Sequence, residues 1–120
     1  NKFCLNASLN LPLEVYSTAL NQYRPYLSLS DAFKVFKFCI EKNFFDNQIY
    51  NALSGNFTVN QIIKKIKKYK KKVKIKFVNS KIMNQLSYHV SSLKLKKVGL
   101  KLNNNLNNDI KNTLNLLKYI

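Results

Sequence analysis

Of the 21 lysines and arginines in this 120-residue chain, only Arg24 is an arginine. Its planar guanidinium can hold two oxygens of a phosphate or carboxylate at once, which a lysine ammonium cannot do. The remaining composition, rich in Lys, Asn, Ile, Tyr and Phe with 2 glycines and 2 prolines, is that of an AT-biased genome. A lone arginine kept against that bias is a candidate for gripping an anion. The plainer reading is chance retention, or an ion pair with an acid such as Glu14. Other chemistry is sparse. Cys4 and Cys39 sit among apolar residues at helical spacing and read as buried thiols, not a disulfide. His89 stands alone in a strand-like run, and no Cys/His cluster is spaced to ligate a metal.

The formal charge of +16 raises the question of nucleic acid or an anionic membrane. Its densest source is Lys64-Lys65, Lys67-Lys68 and Lys70-Lys71-Lys72. Ile62, Ile63, Ile66 and Tyr69 recur there at helical spacing, so one apolar stripe leaves the lysines on a solvated face. That account, with no interleaved arginine and no nucleic-acid-binding motif, argues against a nucleic-acid partner. No apolar run approaches the roughly 20 residues that span a bilayer. No signal region is visible either, so a cytoplasmic location is expected. At 46% hydrophobic residues the chain can build one modest core. It begins mid-pattern at Asn1 without an initiator Met, as a fragment or trimmed chain would.

The elements that must position Arg24 follow from periodicity. Lys2 to Leu9 reads as the end of a helix, with Phe3, Cys4, Ala7 and Leu11 inward. Leu11 to Tyr16 reads as a short strand, and Tyr26 to Leu29 as a second extended piece beside Pro25. Ser30 or Asp31 caps a helix to about Asn43, whose core face is Ala32, Val35, Phe36, Cys39 and Ile40. Gln48 to Leu53 is expected as a strand broken by Ser54-Gly55-Asn56. Thr58-Val59-Asn60-Gln61 is a capping box before the Ile62–Tyr69 helix. Val73 to Val78 alternates as a half-buried strand, and Leu86 to Val90 is extended. A short helix from Ser92 stops at Gly99, which suits a positive φ. The Asn-rich linker 103–108 leads to a last helix with Leu106, Ile110, Leu114 and Leu117 on one side. This alternation predicts an α/β fold.

Several of these pieces carry more specific patterns. Pro12-Leu13-Glu14-Val15-Tyr16 has the form P-L-x-V-Y. Arg24-Pro25-Tyr26-Leu27-Ser28-Leu29-Ser30-Asp31 is near R-D-[FY]-[IV]-[HY]-V-x-D. Ile49-Tyr50-Asn51-Ala52, Ser54-Gly55 and Thr58 follow a [VI]-Y-N-[VL] strand, glycine turn and capped helix. Ser87 to Val90, Lys94 to Gly99 and Leu106 onward close the series. In this order they resemble the C-terminal part of the NAD-dependent epimerase/dehydratase family, the extended short-chain dehydrogenases that act on nucleotide sugars. The resemblance covers nearly the whole chain. Pro25 replaces the usual Asp, Ser28 the usual His or Tyr, and Ser91 a common Asp. The loop between Tyr16 and Arg24 lacks its usual glycines.

The resemblance implies the substrate-binding portion of an extended Rossmann-type enzyme, with residues about 30–56 completing the Rossmann domain and the rest substrate-side. It implies NAD as cofactor of the full-length protein, bound by an N-terminal part outside this chain. Gly55 and Gly99 cannot form the glycine-rich cofactor loop, and none of the seven tyrosines has a lysine four residues on. No catalytic residue is therefore expected here. Arg24 would grip the substrate diphosphate, with Lys81 as a second cation and Asn84 as its polar neighbour. Glu14 and Tyr16 would lie on the strand whose backbone runs along the nucleotide base. The implied partners are a nucleotide sugar and the N-terminal part, and a homodimer of the full-length protein stays open. The alternative is a small basic nucleic-acid-binding or structural interaction domain.

Overall fold

The computed structural model describes residues 2–79, 87–103 and 105–119. In chain order the elements are α1 (Lys2–Ser8), β1 (Leu13–Tyr16), β2 (Tyr23–Tyr26), α2 (Leu29–Glu41), β3 (Gly55–Thr58), α3 (Val59–Tyr69), β4 (Ile75–Val78), α4 (Leu93–Lys97) and α5 (Leu106–Leu116). Single 3-10 turns follow β1 and α5. The strands form two ladders: β1 pairs parallel with β4, Leu13 opposite Ile75, and β2 pairs antiparallel with β3, Tyr23 opposite Thr58. Among the described residues no helix is long and apolar enough to cross a membrane.

The core lies where three helices cover β1. Alternation along β1 sends Leu13 and Val15 inward and Glu14 and Tyr16 outward. Cys4 and Ala7 of α1, Ile62, Ile63 and Ile66 of α3, and Ile110 and Leu114 of α5 pack with them. Burial pushes the Cys4 thiol above its ordinary range, and Cys4 and Cys39 are both free thiols. The expected capping box opens α3: the Gln61 N–H donates to Thr58 Oγ1 at 3.1 Å, and the Thr58 N–H donates to Gln61 Oε1 at 2.9 Å. Lys64, Lys67 and Lys68 of α3 are exposed, as the apolar stripe requires. Gly99 closes α4 at φ 96°, with its N–H on Lys96 O and the Leu100 N–H on Leu95 O.

Several expectations need correction. Leu11 is exposed and not inward, because the chain leaves α1 through Asn10 at φ 56°. The second strand is Tyr23–Tyr26, upstream of the expected Tyr26–Leu29, and its partner is Gly55–Thr58, where a break was expected. Gln48–Leu53 joins no ladder, since neither ladder of the described residues includes it. Ser87–Val90 is likewise outside both ladders, and Leu86 lies outside the described residues. Ser28, not Ser30 or Asp31, caps α2. The expected core face of α2 is covered only in part: Ala32, Val35 and Cys39 are half-buried, but Phe36 is 69% and Ile40 73% exposed, beside Leu29 at 82% and Phe33 at 67%.

One buried group ties the remaining segments together. Asp31, at the third position of α2, is fully buried. Its carboxylate accepts from Ser54 Oγ at 2.6 Å, Lys34 Nζ at 3.0 Å and the Asn103 N–H at 3.2 Å, while its own N–H donates to Ser28 Oγ. Burial alone would raise its pKa. The Ser54 hydroxyl, the Lys34 ammonium and the Asn103 N–H outweigh burial and hold it below its ordinary value. Asp109 of α5 moves the other way: burial and then the Asp31 charge raise it, against bonds from Ser28 and Ser30.

The signs of the two contributions differ. A carboxyl with a lowered folded pKa stabilises above its unfolded value, about 4, and loses that stability as pH falls through the folded value. Asp109, raised in the fold, favours the folded state when protonated, and that contribution is lost as pH rises through its folded value. Asp31→Asn should therefore destabilise the chain at pH 7 by about 1–3 kcal/mol. The deficit against the parent should shrink below about pH 4. Urea melts of both proteins between pH 3 and 7 would test this, and a deficit constant with pH would contradict it.

Candidate functional site

Arg24 lies within β2, half-buried, where the antiparallel ladder fixes its backbone opposite Phe57. Its Nη1 donates to the Tyr23 carbonyl at 2.8 Å, and its Nη2 donates to Gln22 Oε1 at 2.9 Å. The Tyr88 ring lies against the guanidinium, 5.3 Å from Cζ to the ring centroid.

Tyr88 reaches Arg24 because Ser87–Val90 is latched across both strands of this ladder. The Tyr23 N–H donates to Ser87 Oγ at 3.0 Å, and the Tyr88 N–H donates to Tyr23 O at 3.4 Å. The His89 and Tyr23 rings are 4.3 Å apart. On β3, the Asn56 carboxamide both donates to Val90 O at 2.9 Å and accepts from the Val90 N–H at 3.0 Å. A side chain here replaces one residue of a strand partner. His89 is exposed and its contact is with the Tyr23 ring.

Two of the other expected site residues lie on a different ladder from Arg24. Glu14 and Tyr16 belong to the β1–β4 ladder, where both are exposed. Glu14 bonds Lys76 at 3.4 Å and approaches Lys2 at 3.9 Å, so its charge has lysine partners. Such exposed pairs contribute little stability. Lys81 and Asn84 lie outside the described residues. Gln22, Ser87 and Tyr88 were not legible as site residues. The contact of Ser87 with Tyr23 joins positions 64 apart in sequence, and no local period encodes such a pairing. Gln22 is two residues from Arg24, but nothing in its type marks it.

A second polar cluster fixes the segment after α2. Tyr50 donates to Asp46, lies under the Lys94 ammonium at 4.5 Å, and packs on Phe44, which packs on Phe38. Lys94 also donates to Gln48 Oε1 and to Ile49 O. Tyr50 therefore serves packing and loop architecture. Two shallow clefts of about 230 and 190 Å³ lie at the Lys70–Lys72 end of α3 and beside Phe57 and Asn105, and Arg24 lines neither. Among the described residues no three His, Cys, Asp or Glu side chains gather to hold a metal.

No protein-family profile matches the sequence, and no curated protein matches it significantly. Solved structures do match. A partial-consensus L-threonine 3-dehydrogenase superposes with a TM-score of 0.81 at 17% identity, over 99% of this chain and 41% of that one. The GalE-like L-threonine dehydrogenase from Cupriavidus necator, in its holo form, gives 0.81 at 17% identity over 98% and 40%. The UDP-glucose 4-epimerase of Thermus thermophilus in complex with NAD gives 0.70 at 16% identity over 93% and 38%. The chain thus spans about 40% of the length of the structures it matches. At this identity the likeness establishes the fold: α/β, as the C-terminal portion of Rossmann-like epimerase/dehydratase chains.

The clasp at Val90 is testable. Asn56→Ala removes both carboxamide bonds, and a neutral hydrogen bond contributes about 0.5–1.5 kcal/mol. We expect a destabilisation of about 1–2 kcal/mol and faster proteolytic cleavage within 87–91, with α3 and α5 still protected in hydrogen exchange. Unchanged cleavage at 87–91 would show that the clasp does not hold this segment.

Proposed function

We propose that this chain is the substrate-binding portion of an NAD-dependent epimerase/dehydratase acting on a nucleotide sugar. In this reading Arg24 grips the substrate diphosphate, Lys81 adds a second cation and Asn84 a polar neighbour, while β1 with Glu14 and Tyr16 lies along the base. The observation that carries the reading is the superposition of nearly the whole chain on Rossmann-like enzymes, one of them a UDP-glucose epimerase. It is supported by the chain's one guanidinium, which is held on β2 by oriented partners.

The same reading assigns NAD to polypeptide outside this chain. Gly55 opens β3 and Gly99 closes α4, so neither lies in a glycine-rich turn leading from a strand into a helix, where a pyrophosphate would sit. Residues about 30–56 would complete the Rossmann domain. The apolar face of α2 supports this. Leu29, Phe33, Phe36 and Ile40 are exposed, and the Phe38–Phe44–Tyr50 ring series links α2 to the unpaired segment that holds Ile49, 88% exposed. Exposed apolar surface of this kind marks a face built to be covered.

The two L-threonine dehydrogenases favour a second reading of the same site, in which the guanidinium holds an amino-acid carboxylate. A fork suits either anion.

Titration of the complete, NAD-loaded enzyme with UDP-glucose, dTDP-glucose and L-threonine separates these readings. Arg24→Lys should weaken the ligand that binds by about 1–3 kcal/mol, since lysine keeps the charge and loses the two-pronged geometry. Lys81→Ala should weaken it less, and Lys67→Ala should leave it unchanged. Binding by Arg24→Lys as tight as the parent's would remove Arg24 from the site. The 120-residue chain alone should bind no NAD in calorimetry, and saturable binding would overturn the assignment of the cofactor to the rest of the enzyme.

A further inference from the structure

We infer that Tyr88 and Gln22 are positioning residues that hold the Arg24 guanidinium in the orientation it needs to bind the substrate anion. The inference rests on the anion-binding reading of Arg24 and adds to it the groups through which the fork is aimed. A guanidinium on a flexible stem samples many rotamers, and ordering such a side chain at the moment of binding weakens binding. Here partners on the fold supply that ordering beforehand. Tyr23 O and Gln22 Oε1 each take one N–H from a different terminal nitrogen, which fixes rotation in the guanidinium plane. The Tyr88 ring, its centroid 5.3 Å from Cζ, stands beside the cation as a further partner. Tyr88 is itself set by the chain: its N–H bonds Tyr23 O, with Ser87 Oγ on the Tyr23 N–H before it and the Asn56 clasp on Val90 after it.

This arrangement separates Tyr88 from a residue that merely fills space. The ring is 48% exposed, so it adds little to the core and is kept where a cation needs a flat neighbour. Its action on the ligand runs through Arg24, and the two residues must therefore behave as a coupled pair.

The test is a double-mutant cycle on the complete, NAD-loaded enzyme, titrated with UDP-glucose and, in a parallel series, with L-threonine. Tyr88→Leu should weaken binding about three- to fivefold, the scale of an exposed cation–ring contact. Tyr88→Phe, which keeps the ring, should bind as the parent does. In an Arg24→Met background Tyr88→Leu should cause no further loss, because there is no guanidinium left to orient. Melting curves check that the variants stay folded. If Tyr88→Leu does not fold, Gln22→Ala replaces it in the same cycle with the same expectation. If Arg24→Met binds as tightly as the parent, the anion-binding reading itself falls, and the positioning role with it. If Arg24→Met is weakened but Tyr88→Leu is not, only the positioning role falls. Losses that add in full would likewise overturn it, placing Tyr88 on the ligand or on the fold.

Discussion

The Asp31 carboxylate is the interaction on which the arrangement of α2, β3 and the approach to α5 depends. A fully buried charge is costly unless it is bonded on all sides. Ser54, Lys34 and the Asn103 N–H meet that requirement from three places in the sequence. Satisfying one charge therefore fixes where α2 starts, where β3 begins after Ser54, and where the approach to α5 passes. The β2–β3 ladder inherits this: the Ser54 N–H bonds Tyr26 O immediately before the first paired residue, Gly55. Arg24 stands two residues from Tyr26 on that ladder, so its position is set indirectly by the Asp31 carboxylate.

The molecule is divided between a face it completes and a face it does not. Around β1, the α1, α3 and α5 side chains close a core whose members are nearly all excluded from water. On α2 the same helical period produces an apolar stripe of comparable chemistry that the described residues cover only in part. Amphipathic patterning states that a face is to be buried; it does not state by what. The helix therefore looks identical in sequence whether its partner is present or elsewhere.

This distinction explains what the sequence disclosed. Helices α1, α3 and α5 were legible because their signals are local: an apolar period, and for α3 a capping box at Thr58 and Gln61. The end of α4 was legible in the same way, from the positive φ that Gly99 allows. Strands were less so. Gln48–Leu53 has strand composition but forms no ladder, and Gly55–Thr58 has the composition of a break yet pairs fully with β2. Pairing is a property of two segments, and strand propensity of one cannot reveal the other. The candidate site follows the same logic. Arg24 stood out by its rarity, a compositional signal. Tyr88 and Gln22 did not, because what matters about them is proximity to Arg24. For Tyr88 that proximity is brought about by Ser87 and Asn56 across long stretches of chain. Glu14, an ion partner for Arg24 on the plainer reading of the sequence, instead faces Lys76 and Lys2 on another ladder.

The parallel pairing of β1 with β4 has a consequence for how the chain comes to exist in the cell. Leu13 and Ile75 are register partners 62 residues apart, and everything from β2 to α3 is looped between them. Non-local parallel contacts of this kind form slowly, because the intervening chain must be closed before any reward is gained. A ribosome emits the β1 segment first and withholds its ladder partner until the 62-residue separation has been made. Ile110 and Leu114, which seal the same core, emerge later still. During synthesis Leu13 and Val15 therefore wait as an apolar, unpaired edge, open to wrong pairings until α3, β4 and α5 close over it.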